Sequence, residues 1–235
     1  WETGGMDIRV GPDPVLRSAT WIAGRLRDAV RRRGSASLAV SGGGTALPMI
    51  EALNELDAPW SQVGVWQVDE RIAPDRHDAR NALQLDLLVG RAGRIHLMPV
   101  AATDLRAAAR RYARCLPDRF DVVHLGIGTD GHTASWPPGI PTIAASSRPV
   151  ELTDEFNSWR RMTLTRSVVN GARSRAVLAT GSPKQAIVER WLLGDRSLPI
   201  SAVRRTNTWL FLDADAAPRV TLQALPPGHP SSSGK

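Results

Sequence analysis

The run Leu125-Gly-Ile-Gly-Thr-Asp-Gly-His-Thr-Ala-Ser-Trp-Pro-Pro-Gly139 sets three glycines, an aspartate and a histidine between Gly126 and His132. It follows an apolar stretch, Phe120 to Leu125, that reads as a buried strand. Glycine lacks a Cβ, so such a loop can bring backbone N–H groups close to a ligand. The carboxyl end of a strand is also where open α/β sheets bind ligands. Asp130 and His132 are therefore candidate catalytic groups, with His132 suited to act as a general base near neutral pH. The alternative is a glycine-rich turn with a solvated Asp and His.

Three further segments carry candidate binding groups. Ser41-Gly42-Gly43-Gly44-Thr45 follows an apolar run and opens a helical pattern. Backbone N–H groups there, backed by a helix N-terminus, would hold an anion. The spacing is neither that of a nucleotide P-loop nor of a dinucleotide fingerprint, so no nucleotide cofactor is expected. Gln67-Val-Asp-Glu-Arg71 ends another strand. There Arg71 is expected to clamp a carboxylate or phosphate and Asp69 to bind sugar hydroxyls. Lys184 is the sole internal lysine, Lys235 being the other, in a chain rich in arginine. In Thr180-Gly-Ser-Pro-Lys-Gln185, Ser182 reads as a helix N-cap and Pro183 as the first helical position. A cation in that first turn opposes the helix dipole unless an anion binds there, which makes Lys184 an anion-binding candidate.

Other polar residues point to less. His124 lies within an apolar strand and reads as a buried core histidine; His96 flanks a short strand and His229 lies in the tail. No Cys/His spacing suggests structural zinc, and nothing in the spacing calls for a metal at Asp69, Asp130 and His132. Ser135 lacks the nucleophile-elbow pattern of serine hydrolases.

These loops need a frame to hold them. Strands are expected at Ser37–Val40, Val63–Val68, Phe120–Leu125, Ala176–Ala179 and Thr208–Leu212. Helices are expected at Pro14–Arg33, Ala46–Leu56, Arg80–Val89, Leu105–Cys115 and Pro183–Leu193, with Gly194 closing the last. In the first helix Val15, Ile22, Leu26 and Val30 fall near one face. The alternation predicts a parallel sheet flanked by helices. The pattern turns irregular from about Pro137 to Met162, as an excursion over the site would. One domain is expected over 1–224, with a disordered Ser/Pro-rich tail over 225–235.

The bulk properties narrow the function classes. The chain has 235 residues, 42% hydrophobic and 23% charged, with a net charge of +7. These are values of a soluble globular protein, with no run long enough to span a bilayer. The first residues lack a secretory signal pattern, and the single cysteine, Cys115, fits a reducing compartment, so a cytoplasmic protein is expected. The basic charge raises nucleic-acid binding, but the arginines are dispersed and no aromatic interleaves with a basic run. A small anion such as a sugar phosphate fits that field better.

Taken together, Ser41-Gly-Gly-Gly-Thr45, Asp69-Glu-Arg71 with Asn81, Gly126 to Ser135, Arg161-Met-Thr-Leu-Thr165 and Gly181-Ser-Pro-Lys184 resemble the 6-phosphogluconolactonase family in order and content. The resemblance implies a Rossmann-like three-layer α/β/α sandwich with a mainly parallel central sheet, shared with glucosamine-6-phosphate deaminases and ribose-5-phosphate isomerases. It implies hydrolysis of 6-phospho-D-glucono-1,5-lactone to 6-phospho-D-gluconate in the oxidative pentose phosphate pathway. His132 would be the base, with Asp130 beside it. The glycine turn with Thr45, Arg71, Arg161 and Lys184 would hold the phosphate or the sugar acid. Neither cofactor nor metal is implied, and a monomer or weak homodimer is expected. This chain departs from the family at Gly44 (usually serine), at Arg80 (usually serine before Asn81) and at Trp136-Pro137 (usually Leu-Phe); the last two are expected to reshape the pocket rim. The rivals are a glucosamine-6-phosphate deaminase/isomerase and a non-catalytic sugar-phosphate sensor domain. Deaminases tend to continue the histidine loop with Ala-Phe-Asn-Glu-Pro, where this chain has Ala134-Ser-Trp-Pro-Pro138.

Overall fold

A computed structural model of the chain describes residues 5–219, so the expected tail lies outside the described residues. Seven strands form one wholly parallel sheet: β1 (Met6–Val10), β2 (Ala36–Val40), β3 (Val63–Gln67), β5 (Arg94–His96), β6 (Val122–Gly126), β9 (Ser174–Ala179) and β10 (Thr208–Leu212). Their spatial order is β1-β10-β9-β6-β2-β3-β5. After β2 the chain builds outward through β3 and β5, then returns to add β6, β9 and β10 on the other side. The crevice between β2 and β6 is thus the point where strand order reverses.

Neighbouring residues of the central strands feed opposite cores, as the two-residue period of a strand requires. Val122, Ala176 and Leu178 join one core; Val123, Leu125, Val177 and Ala179 join the other. The first core packs against α1 (Pro14–Arg33) and α2 (Ala46–Glu55). The second packs against α4 (Leu105–Arg114), α6 (Arg166–Gly171) and α7 (Gln185–Leu192). This is the three-layer α/β/α arrangement, and burial on both faces explains why the strands read as continuous apolar runs.

Helix α1 has the expected bounds because both its ends are written locally. The Asp13 carboxylate accepts from the Leu16 amide at 2.9 Å, Pro14 opens the helix, and Gly34 closes it at φ 77°. Ile22 and Leu26 are fully buried, while Val15 and Val30 are partly so.

Elsewhere tertiary contacts override the pattern. The expected helix over Arg80–Val89 shrinks to α3 (Ala82–Leu85) and one 3-10 turn, because Arg80 and Asn81 are drawn into a buried polar cluster. Helix α7 begins at Gln185, after a 3-10 turn over Ser182–Lys184, and the Ser182 side chain makes no capping hydrogen bond. Gly194, at φ 88°, does follow the helix end. The irregular stretch contains α5 (Pro141–Ala145) and most of a small antiparallel sheet, β4 (Asp69–Arg71), β8 (Arg161–Leu164) and β7 (Val150–Leu152), in the order β4-β8-β7. Among the described residues no helix is long and apolar enough to cross a membrane.

His124, in the central strand β6, is fully buried with neither ring nitrogen hydrogen-bonded. Burial drives its pKa from 6.5 down to about 4. The unfolded chain therefore takes up this proton near pH 6.5, the folded one only near pH 4. The associated stability is complete above the first value and is lost as pH falls toward the second, on the order of 3 kcal/mol in all. We predict that His124→Leu removes part of the acid sensitivity. In urea unfolding at about pH 7.5 and about pH 5, the unsubstituted protein should lose about 2 kcal/mol more than the variant on acidification. Equal losses would show that the ring does not carry it.

Candidate active site

The three loops that leave β2, β6 and β9 meet at the carboxyl edge of the sheet around a cleft of about 360 Å³. Ser41, Gly42, Gly43, Gly44, Thr45, Asp69, Arg71, His132, Arg161 and Lys184 all line it; of the expected catalytic and ligand-holding residues Asp130 alone does not, and it touches His132 instead.

The β6 loop folds back on itself. The Gly128 amide donates to the His132 carbonyl at 2.8 Å, and the Gly131 amide to the Gly128 carbonyl at 3.0 Å. This places His132 Nδ1 2.5 Å from Asp130 Oδ1, which also accepts from the His132 amide at 3.1 Å. Glycine is required at position 128, because a Cβ there would lie 2.1 Å from His132 Nδ1. Partial burial pushes the Asp130 carboxyl up, but the amide, charge and ring N–H of His132 outweigh it and hold the group below its ordinary value. An ionised carboxylate only accepts, so the ring proton belongs on Nδ1 and the Nε2 lone pair is left free.

On the β2 side, the Gly43 amide is taken by Gln84 Oε1 at 3.2 Å, so not every amide of the glycine turn is free as expected. Among the described residues the amides of Gly42, Gly44 and Thr45 have no protein acceptor, and Ser41 Oγ is buried without a partner. Lys184 faces these groups from the β9 loop and makes no ion pair among the described residues. Burial pushes its ammonium down, partly offset by the charge of Asp130. Unmatched donors and an unmatched cation around one cleft are what an anion would satisfy.

The third wall is the small sheet. Arg71 and Arg161 pair directly across the β4–β8 ladder, and Asp69 lies two residues from Arg71 on the same face. Like charges placed opposite one another destabilise a sheet. Here Asp69 is buried below them and bonded to Ser135 Oγ at 2.7 Å. Burial pushes the Asp69 carboxyl up, while Ser135, Arg71 and Arg161 pull it back.

Next to it, Glu70 is fully buried and accepts from Gln67 Nε2 and from the amides of Arg71, Asn81 and Ala82 at 2.7–2.9 Å; Arg80 pairs with it by charge, Nε lying 3.2 Å away without a hydrogen bond. Asn81, so fixed, accepts from Arg71 Nη1 at 2.5 Å and donates to the Asp69 carbonyl at 3.0 Å. Its Oδ1 would lie 2.0 Å from a Cβ on residue 42, which is why Gly42 must be glycine.

A family model described as glucosamine-6-phosphate isomerases/6-phosphogluconolactonase matches residues 14–212. The chain belongs to this family. It is 33% identical to the 6-phosphogluconolactonase of Pseudomonas aeruginosa, over 80% of this chain and 85% of that one. It is 32% identical to the 6-phosphogluconolactonase of Synechocystis, over 73% of this chain and 77% of that one. The crystal structure of a 6-phosphogluconolactonase from Shewanella baltica superposes with a TM-score of 0.81 at 28% identity, covering 89% of this chain and 98% of that one.

Against this family, the departures expected to reshape the rim sit elsewhere. Trp136 is buried, donates from Nε1 to the Leu164 carbonyl at 2.8 Å, and ties the histidine loop to β8. Arg80 lies beneath the cleft, on Glu70. Gly44 does line the cleft. Sequence reasoning missed the Ser135–Asp69 bond and Thr180, which also lines the cleft. It missed Phe156, whose ring lies 5.2 Å from that of His132, and no local signal marks that residue. Among the described residues no group of three or more His, Cys, Asp or Glu side chains is placed to hold a metal ion.

The buried Glu70 charge makes the site's floor sensitive to Arg80. Arg80→Met keeps the bulk but removes the cation, and urea unfolding should show a loss of about 3 kcal/mol. An unchanged midpoint would show that the four N–H donors suffice to hold the charge.

Proposed function

We propose that this chain hydrolyses 6-phospho-D-glucono-1,5-lactone to 6-phospho-D-gluconate, as a lactonase of the oxidative pentose phosphate pathway. The observation that carries the reading is the Asp130–His132 contact, which leaves one ring nitrogen free in a cleft rimmed by unmatched cations and amides. Water attacks the C1 carbonyl while His132 Nε2 takes its proton; Asp130 holds the tautomer and stabilises the imidazolium that forms. Arg71 or a loop amide meets the oxyanion. When the C1–ring oxygen bond breaks, the imidazolium returns its proton to the leaving oxygen. The amides of the glycine turn, Thr45 and Lys184 take the phosphate, and Arg161 and Asp69 the sugar acid and its hydroxyls, so that binding far from C1 orients the carbonyl.

Other features support the same reading. After His132 the loop places Ser135 on Asp69 and offers no carboxylate, so it lacks the glutamate that amino-sugar ring opening would use. The reading has one catalytic unit over 1–224 that acts in the cytoplasm on a small phosphorylated lactone, as a monomer or weak homodimer, without nucleic acid.

The test is hydrolysis of freshly made lactone above its spontaneous rate, with and without chelator. The reading expects chelator-insensitive turnover. His132→Ala should lower kcat about 10²–10⁴-fold, and Lys184→Ala should raise KM about tenfold or more with kcat little changed. Undiminished turnover in His132→Ala would remove the base assignment. No turnover by the unsubstituted protein, with 6-phosphogluconate still bound, would favour the sensor reading.

A further inference from the structure

The tip of the β7–β8 hairpin touches two of the proposed functional side chains, His132 and Arg161. Its Phe156-Asn157-Ser158-Trp159 segment is a two-residue turn closed by paired bonds between Phe156 and Trp159. Asn157 and Ser158 lie at φ 49° and 66°, the conformation of the tight turn that matches strand twist. Asn157 suits this conformation, but Ser158 stands where glycine is usual, so the turn depends on its surroundings as well as on local preference. Those surroundings are specific. The Phe156 ring stands edge-on to His132, with centroids 5.2 Å apart and planes at 80°. The guanidinium of Arg161 lies over the same ring at 5.1 Å, and Arg161 Nε donates to the Phe156 carbonyl at 3.2 Å. Trp159 packs at 5.1 Å on His77, in the loop between Arg71 and Asn81.

The physical need for such a contact lies in the torsions. Rotation of a histidine ring about its outer bond has a broad, soft profile. Asp130 holds the His132 ring at Nδ1 alone, which fixes one atom but not the plane. A long arginine side chain likewise needs more than one contact to hold its fork in place. Phe156 supplies both second contacts and does not itself line the cleft.

We propose that Phe156 is a positioning residue of the lactonase reaction, setting the ring plane of His132 and the fork of Arg161 together, with Trp159 anchoring the hairpin that carries it. The proposal rests on the lactonase reading. It predicts that both catalytic and binding constants depend on an aromatic ring at 156, although this ring does not line the cleft.

The experiment is steady-state lactone hydrolysis by Phe156→Ala, Phe156→Leu and Phe156→Tyr, and by Phe156→Ala in an Arg161→Met background, with melting temperatures alongside. Phe156→Ala should lower kcat/KM about tenfold, through both a lower kcat and a higher KM, with a melting temperature within about 3 °C of the parent. Phe156→Tyr should return kcat/KM to within about twofold of the parent, while Phe156→Leu, with bulk but no ring, should not. In the Arg161→Met background the KM effect should largely vanish, because the two side chains act as a unit. Parental kinetics in Phe156→Ala, full rescue by leucine, or strictly additive losses would each overturn the positioning role and leave the lactonase reading intact. An inactive unsubstituted protein would overturn both.

Discussion

Two adjacent buried carboxylates, Asp69 and Glu70, organise the site more than any other feature. They point to opposite sides of one short strand, as successive residues must. Asp69 lies under two arginines and bonds to Ser135; Glu70 collects N–H groups from the loop that follows. A buried charge is costly unless partners surround it, so each carboxylate fixes whatever neutralises it. Glu70 thereby places Asn81, Asn81 places Arg71, and Asn81 also crowds the glycine turn at Gly42. The small sheet, the glycine turn and the histidine loop are linked through these contacts.

The division of labour between the two sheets follows from their geometry. The parallel sheet brings three loops side by side at one edge, because β9, β6 and β2 are neighbours. Those loops supply the His132–Asp130 pair, the amides and Lys184. The small antiparallel sheet adds the cations, because the β4–β8 ladder puts Arg71 opposite Arg161. Their repulsion, left incompletely offset by Asp69, favours an incoming anion. The family to which the chain belongs includes enzymes that act on phosphorylated sugars, and this charge layout suits such ligands.

Much of this was legible in the sequence. The ends of α1 were written in Asp13, Pro14 and Gly34, and the central strands in runs too apolar for a one-sided sheet. The candidate site was legible where chemistry and backbone geometry coincide: glycines that must lack a Cβ, and a lone lysine beside a helix start. What stayed hidden had no local signal. The three-residue strands β4 and β7 are shorter than any periodicity can reveal. Arg80 looked like the start of a helix because its pull toward Glu70 depends on a residue ten positions away.

The sequence alone determined the bounds of α1, five strands of the parallel sheet, and the residue types that make the candidate groups for chemistry. These are set by hydrophobic period and by residue type, which are local properties. Only the tertiary structure decided which nitrogen of His132 is free, which amides of the glycine turn remain unmatched, and that Arg71 and Arg161 face each other. It alone brought Phe156 to His132 across 24 residues of chain. Those outcomes depend on distances between segments far apart in sequence, and such distances are fixed only when burial and charge balance are satisfied everywhere at once.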